Sequence, residues 1–255
     1  MRVNVIGSGH MGKQISSLLA IIGMDVLIWQ KNNNNLIDQI NKEIRNSEMI
    51  LKLKSKGTIN IVNDLNKLEN YITIETVVED ISVKKKIFES LNYNDNLFSN
   101  TSSIKLSDIG KNINGLHFMN PATLKIIELC RIGNYDKDKL NLILEELKKI
   151  SYEILEVTDS PGYIINKILF KDISFFFYLL EKEKIKYNDI KKIFLSDLKK
   201  NDPIKLVNLI GVDTCLHVLI NLNKYDNQYY VPKMLEDSVK KSILGNKNKK
   251  YFKIL

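Results

Sequence analysis

Val5-Ile6-Gly7-Ser8-Gly9-His10-Met11-Gly12 stands at the head of the chain and decides how the rest is read. Gly7, Gly9 and Gly12 form G-x-G-x-x-G between a β-branched run, Val3 to Ile6, and a helical pattern from Met11 to Ile22. In that strand–turn–helix setting the spacing allows a tight turn, backbone approach to a pyrophosphate, and close helix–strand contact. The helix N-terminus adds partial positive charge where phosphates would lie.

Outward from this loop the chain alternates short extended runs with helical patterns. Asp25 to Trp29, Thr58 to Val62, Ile72 to Val78, Asn96 to Ser99 and Glu153 to Val157 read as strands. Leu36, Ile37, Ile40 and Ile44, then Val83 to Leu91, then Leu140, Ile143, Leu144, Leu147 and Ile150 read as helix faces. Such alternation predicts an α/β unit, a mostly parallel sheet covered by helices. The polar run Asn32 to Asn35 reads as a loop tip, and Gly115 to Pro121 is placed between two strands. After Val157 the pattern becomes helical. Asp159-Ser160-Pro161-Gly162 predicts a helix start, with Ser160 as cap and Pro161 at the first helical position. Apolar faces then run from Ile164 to Leu180, Pro203 to Leu222 and Pro232 to Leu244. The expected boundary is near Thr158, giving a sheet domain at 1–158 and a smaller all-α domain at 159–255.

Composition excludes several classes. The 255 residues are 44% apolar and 27% charged, as in an ordinary soluble globular protein. The 38 Lys+Arg against 30 Asp+Glu give +8, spread along the chain, which suits an acidic ligand without marking nucleic acid. The longest apolar stretch, Ile173 to Leu180, is far shorter than the roughly 20 residues a membrane span needs. No secretory pattern precedes the first strand, so a cytoplasmic home is expected, with no membrane partner. Cys130 and Cys215 lack CxxC spacing, which speaks against a disulfide framework or a structural zinc; no metal is expected.

A dinucleotide loop of this kind expects an acidic residue about 20 positions on, to hydrogen-bond the adenosine ribose. Gln30, after Ile28-Trp29, occupies that place and is followed by Lys31. A charged acceptor is worth about 1.5–3 kcal/mol and a neutral amide about 1 kcal/mol. Either NAD binds more weakly, or Lys31 accommodates a 2′-phosphate and NADP is preferred.

His117, in Gly115-Leu116-His117-Phe118-Met119-Asn120-Pro121, is a candidate general base, because an imidazole titrates near neutrality. Glu128, in Lys125-Ile126-Ile127-Glu128, is the carboxylate assigned to its far nitrogen, fixing the tautomer and stabilising the imidazolium.

Together the blocks VIGSGHMG, VVEDISVKKKIFESL, SNTSSIKLSDI, GLHFMNP with KIIEL, DSPGYIINKIL and LIGVDTCL resemble the 3-hydroxyacyl-CoA dehydrogenases, most closely the bacterial 3-hydroxybutyryl-CoA dehydrogenase type. They occur in the family's order from the first residues to beyond residue 210. The resemblance implies a Rossmann-type NAD domain followed by a helical domain that commonly dimerises, so a homodimer is expected. It implies oxidation of an L-3-hydroxyacyl thioester to the 3-ketoacyl thioester, with the acyl group on coenzyme A. By motif, His117 matches the general base and Glu128 its acid. Ser102 and Asn166 match two groups at the substrate's 3-oxygen. Glu79, Lys84, Asn100 and Asn120 match positions lining the dinucleotide, beside Gly7, Gly9, Met11, Gly12 and Gln30 of the loop region, and Lys247 matches a late lysine near the nicotinamide.

The chain departs from the family at Gln30, by one residue fewer between His117 and Glu128 (at Ala122-Thr123), at Asn201 to Leu206, and at Asn246 to Phe252. It is also shorter, chiefly in the helical insert after the second strand. Two other functions share its residues: a dehydrogenase of a carrier-protein-bound hydroxyacyl group, and a non-catalytic dinucleotide-binding protein.

Overall fold

The computed structural model describes residues 1–31, 36–121, 123–196 and 202–254. The Asn32–Asn35 run, Ala122 and Asn201 lie outside the described residues. The chain divides into two compact units, Met1–Ser160 and Pro161–Leu255.

The first unit carries β1 (Arg2–Ile6), α1 (His10–Ile21), β2 (Asp25–Trp29), α2 (Leu36–Leu51), β3 (Ile59–Val62), β4 (Ile72–Glu75), α3 (Ile81–Glu89) and β5 (Leu97–Ser99). These are followed by α4 (Leu106–Ile109), β6 (Asn114–Phe118), β7 (Ile126–Cys130), α5 (Lys137–Lys149) and β8 (Glu153–Glu156). The strands form one sheet in the order β3-β2-β1-β4-β5-β6-β7-β8. Its first six strands follow the doubly wound order 3-2-1-4-5-6, with β1 and β4 flanking the switch point where the order reverses. Only β6–β7 is antiparallel. The core strands are buried on both faces, as in sheets covered by helices: every residue of β4 and β6 is buried. Val3, Val5, Ile15, Leu19, Val26, Ile28, Ile74 and Phe98 fill this core. The expected mostly parallel α/β sheet is therefore the fold observed.

Gly115–Phe118 does not lie between strands; it is most of β6 itself, with the strand β7 next in sequence. The polar residues Asn114, His117 and Glu128 disguise these strands, yet all three are buried because each finds a partner inside the sheet unit.

The second unit is helical: α6 (Ile165–Glu181), α7 (Tyr187–Leu195), α8 (Pro203–Ile210), α9 (Val212–Tyr225) and α10 (Lys233–Lys240). Phe170, Phe176, Phe177, Phe194, Leu219 and Phe252 pack at its centre. Two sequence readings change. The helix expected at Ser160-Pro161 begins at Ile165, because Gly162 (φ 81°) and Tyr163 (φ 42°) hold left-handed backbone that no helix can include. The single apolar face from Pro203 to Leu222 breaks at Gly211 (φ 109°), where α8 and α9 meet at 99°. Among the described residues no single helix is long and apolar enough to cross a membrane; the bent α8–α9 pair passes only by length and composition.

Candidate active site

At the carboxyl end of β1 the glycine loop turns into α1. Gly7 has φ 112°, and a Cβ there would meet Thr76 backbone at 2.9 Å. A Cβ on Gly12 would lie 1.9 Å from the Gly7 carbonyl oxygen, so only glycine lets α1 start this close to the strand. Thr76, at the end of β4, floors the turn: its hydroxyl donates to the carbonyls of Gly7 and Ile6, at 3.0 and 3.2 Å. Gly9 differs from both, since a Cβ on it would meet no protein atom within 4 Å. The open side of the loop is thus at Gly9, the N-cap of α1, where no side chain caps the helix and no acid occupies the first turn. Amides of a helix's first turn lack intrahelical acceptors, so the edge is a cradle for an anion. These residues fit a dinucleotide pyrophosphate. Met11 is half-buried in that first turn. Gln30, at the end of β2, is 6% exposed and accepts a hydrogen bond from the Ser8 hydroxyl at 2.9 Å, which ties it to the loop.

Beyond the switch point, the ends of β4 and β5 build a polar cluster. Lys84 on α3 is 1% exposed, and its Nζ donates to both oxygens of Glu75, at 2.8 and 3.0 Å, and lies 3.3 Å from Glu79 Oε2. Burial pushes the Glu75 carboxyl above its ordinary range, although Lys84 and the Ser99 hydroxyl oppose it. Burial also acts to raise Glu79, but the Lys84 charge and hydrogen bonds from Thr101, Ser103 and Ser102 hold it below its ordinary value. Lys84 is held above the ordinary lysine value, burial being outweighed by its two carboxylates. Glu79 Oε1 accepts from the Thr101 hydroxyl and from the Ser102 and Ser103 amides. Sequence reading picked out Glu79, Lys84 and Ser102 but missed Glu75, Thr76, Ser99 and Thr101. The one available signal was an acid closing the apolar strand Ile72-Thr73-Ile74-Glu75.

His117 and Glu128 face each other across the antiparallel β6–β7 ladder. His117 Nδ1 is 2.7 Å from Glu128 Oε2, and the two residues are 3% and 0% exposed. An ionised carboxylate only accepts, so Nδ1 donates and Nε2 is left with the lone pair a base needs. The shortened connection between the two residues does not separate them, because the ladder rather than the loop sets their register. Asn100 accepts from the Phe118 amide at 2.7 Å, pinning the end of the His117 strand. Asn120 is exposed with φ 48°, and its carbonyl accepts from the Thr123 and Leu124 amides.

The remaining assigned residues belong to the second unit. Asn166 is buried in the first turn of α6. Lys247 donates to Asp213 Oδ2 at 2.8 Å and to the Thr214 hydroxyl at 2.5 Å, at the start of α9. Among the described residues, no group of three His, Cys, Asp or Glu could hold a metal ion.

Comparisons with known proteins identify the family. Residues 2–160 match the 3-hydroxyacyl-CoA dehydrogenase NAD binding domain, and residues 162–254 the 3-hydroxyacyl-CoA dehydrogenase C-terminal domain. The chain is 29% identical to a 3-hydroxybutyryl-CoA dehydrogenase of Bradyrhizobium diazoefficiens, over 98% of this chain and 94% of that one. It is 27% identical to the 3-hydroxybutyryl-CoA dehydrogenase of Clostridioides difficile, over 98% and 97%. The crystal structure of FadB2 from M. tuberculosis superposes with a TM-score of 0.81 at 25% identity, covering 100% of this chain and 98% of that chain. That of (S)-3-hydroxybutyryl-CoA dehydrogenase from Ralstonia eutropha, at 22% identity, shares the fold with a TM-score of 0.75 over 99% of each. With both family models together spanning nearly its whole length, the chain belongs to the 3-hydroxyacyl-CoA dehydrogenase family, with an NAD-binding domain at residues 2–160.

Proposed function

We propose that this enzyme reversibly oxidises an L-3-hydroxyacyl-CoA of short chain, such as 3-hydroxybutyryl-CoA, to the 3-ketoacyl-CoA. The observation that carries the reading is the buried His117–Glu128 pair at 2.7 Å across β6 and β7, with Asn100 bonded at the end of the His117 strand. NAD, when bound, accepts or supplies the hydride. His117 takes the hydroxyl proton at Nε2 as the hydride leaves, and returns it in the reverse direction. Glu128 holds the imidazole in the required tautomer and stabilises its charged form. Ser102 donates a hydrogen bond to the substrate's 3-oxygen, where negative charge grows as a ketone is reduced. Asn166, in the second unit, is the other donor that the family resemblance assigns to this oxygen.

The glycine loop would hold the pyrophosphate, with Gly9 as its open edge. Gln30 would serve the ribose, Glu79, Lys84, Asn100 and Asn120 would line the dinucleotide, and Lys247 would serve the nicotinamide. The enzyme is proposed to work in the cytoplasm as a homodimer, the sheet unit binding the dinucleotide and the helical unit serving substrate and dimerisation.

The test is the absorbance of reduced nicotinamide with acetoacetyl-CoA, run in parallel with NADH and NADPH. Consumption of NADH that requires acetoacetyl-CoA is the expected result. Tight NADH binding without turnover on acetoacetyl-CoA or a carrier-bound ketoacyl substrate would overturn the reading in favour of a non-catalytic role.

A further inference from the structure

Strand β2 ends at Trp29, and the residues that follow it decide which adenosine ribose the site can take. Gln30 continues the backbone pairing, its amide donating to the Val62 carbonyl at 3.1 Å. Its side chain meets the glycine loop, where the Ser8 hydroxyl donates to Oε1 at 2.9 Å. An acid at this position accepts from the ribose 2′-hydroxyl and repels a 2′-phosphate. Gln30 carries no charge, and a carboxamide nitrogen supplies N–H donors, which match the acceptor oxygens of a phosphate.

The surrounding charges have the same sense. Lys31, next in the chain, is exposed. Lys13, in the first turn of α1, donates from Nζ to Gln39 Oε1 at 2.7 Å, so a second cation is held where α1 meets the start of α2. Two acids stand on the neighbouring elements. Asp64, beyond β3, accepts from the Asn66 amide at 3.0 Å and from its side-chain nitrogen at 3.1 Å, which commits it to its own turn. Asp38 is exposed in the first turn of α2. A cation beside a neutral strand end is the arrangement that accommodates a 2′-phosphate.

We infer that the Gln30–Lys31 end of β2 accepts the 2′-phosphate of NADP(H), with Lys13 adding to the attraction, so that the enzyme uses NADPH as well as NADH. NADH keeps its place because a neutral amide also bonds a ribose hydroxyl. The inference rests on the glycine loop as the dinucleotide site and does not depend on which acyl thioester is reduced.

The experiment measures Kd for NADH and NADPH by fluorescence titration of the full chain without substrate, then kcat/KM for both on acetoacetyl-CoA. The two Kd values are expected to lie within about tenfold of each other. Lys31→Ala should weaken NADPH roughly tenfold and leave NADH within about twofold. Gln30→Glu should weaken NADPH at least as much while NADH binding holds or tightens. In competition against NADH, 2′,5′-ADP should bind more tightly than 5′-AMP, which lacks the 2′-phosphate. NADH bound more than about 100-fold tighter than NADPH would overturn the inference. So would a Lys31→Ala variant that weakens both cofactors equally, or 5′-AMP competing better than 2′,5′-ADP. Binding of both cofactors without turnover defeats the proposed reaction and leaves this inference standing. Turnover with NADH alone does the reverse.

Discussion

His117 and Glu128 are direct cross-strand neighbours, their side chains joined by a 2.7 Å contact between Nδ1 and Oε2 inside the sheet unit. Eleven residues separate them in sequence, but the antiparallel ladder makes them opposite partners. Removing the imidazole, by His117→Ala, should lower kcat by about 10²–10⁴ with far-UV circular dichroism unchanged. Glu128→Gln keeps the size but lets the far nitrogen meet an N–H donor, which selects the wrong tautomer. Its kcat should fall at least about 100-fold. A Glu128→Gln enzyme with wild-type turnover would show that the pair is structural only.

The glycine loop offers a separation of folding from binding. Gly9→Ala adds a methyl where no protein atom lies within 4 Å, so the melting temperature without cofactor should stay put. Because the methyl would stand on the open edge of the loop, NADH affinity should drop about tenfold or more, a loss of about 1.4 kcal/mol. Gly12→Ala instead drives a methyl to 1.9 Å from the Gly7 oxygen, so it should lower both stability and affinity. Overpacking of this kind costs about 1–3 kcal/mol. Thermal melts and NADH titrations on the two variants check the contrast; equal melting temperatures for both would contradict it.

Gln30 is neutral where a ribose-binding acid is usual, and Ser8 holds its amide oxygen at 2.9 Å. Gln30→Glu should tighten NADH by about 0.5–2 kcal/mol, the difference between a charged and a neutral acceptor. The added charge should repel a 2′-phosphate, so any turnover with NADPH should fall. Steady-state KM values for the two cofactors, wild type against variant, measure both effects.

Lys84 sits between two carboxylates in a buried cluster, and Lys84→Met should cost about 3–5 kcal/mol by leaving them uncompensated. The pH dependence follows from the directions of the shifts. The folded pKa of Lys84 is raised, so its stabilisation is complete below the ordinary lysine pKa of about 10.4 and is lost as pH rises through the raised value. The Glu75 carboxyl is raised in the fold already, and removing Lys84 raises it further. In the variant the folded chain then binds the extra proton, so its stability deficit should shrink as pH falls through that raised value toward the ordinary carboxylate range. Urea melts across the acid and neutral range would show the two stability curves converging; parallel curves would refute the assignment.

Much of the fold was legible along the chain. Short extended runs, β-branched in β1 to β4, marked β1 to β5 and β8, the helical periodicity of α5 was plain, and the glycine spacing located the dinucleotide loop. The rest of the fold is disguised for physical reasons. The strands β6 and β7 carry Asn114, His117 and Glu128, which read as loop chemistry until their partners are seen. The start of α6 was anticipated too early because left-handed Gly162 and Tyr163 cancel a cap-like sequence. Glu75 and Ser99 carry no local signal, since nothing in the sequence tells a buried hydrogen-bonding residue from any strand-end polar residue.

Local preferences decide where a chain turns, extends or coils, and those preferences were enough to determine the alternating sheet-and-helix order and the anion-binding turn at its start. Which donor meets which acceptor is another matter. Glu79 reaches Thr101 across 22 residues, and His117 reaches Glu128 across a hairpin, only because the buried core sets the strand register. A one-residue slip would reverse every side chain in a strand, so the site's hydrogen bonds exist only once the sheet has packed.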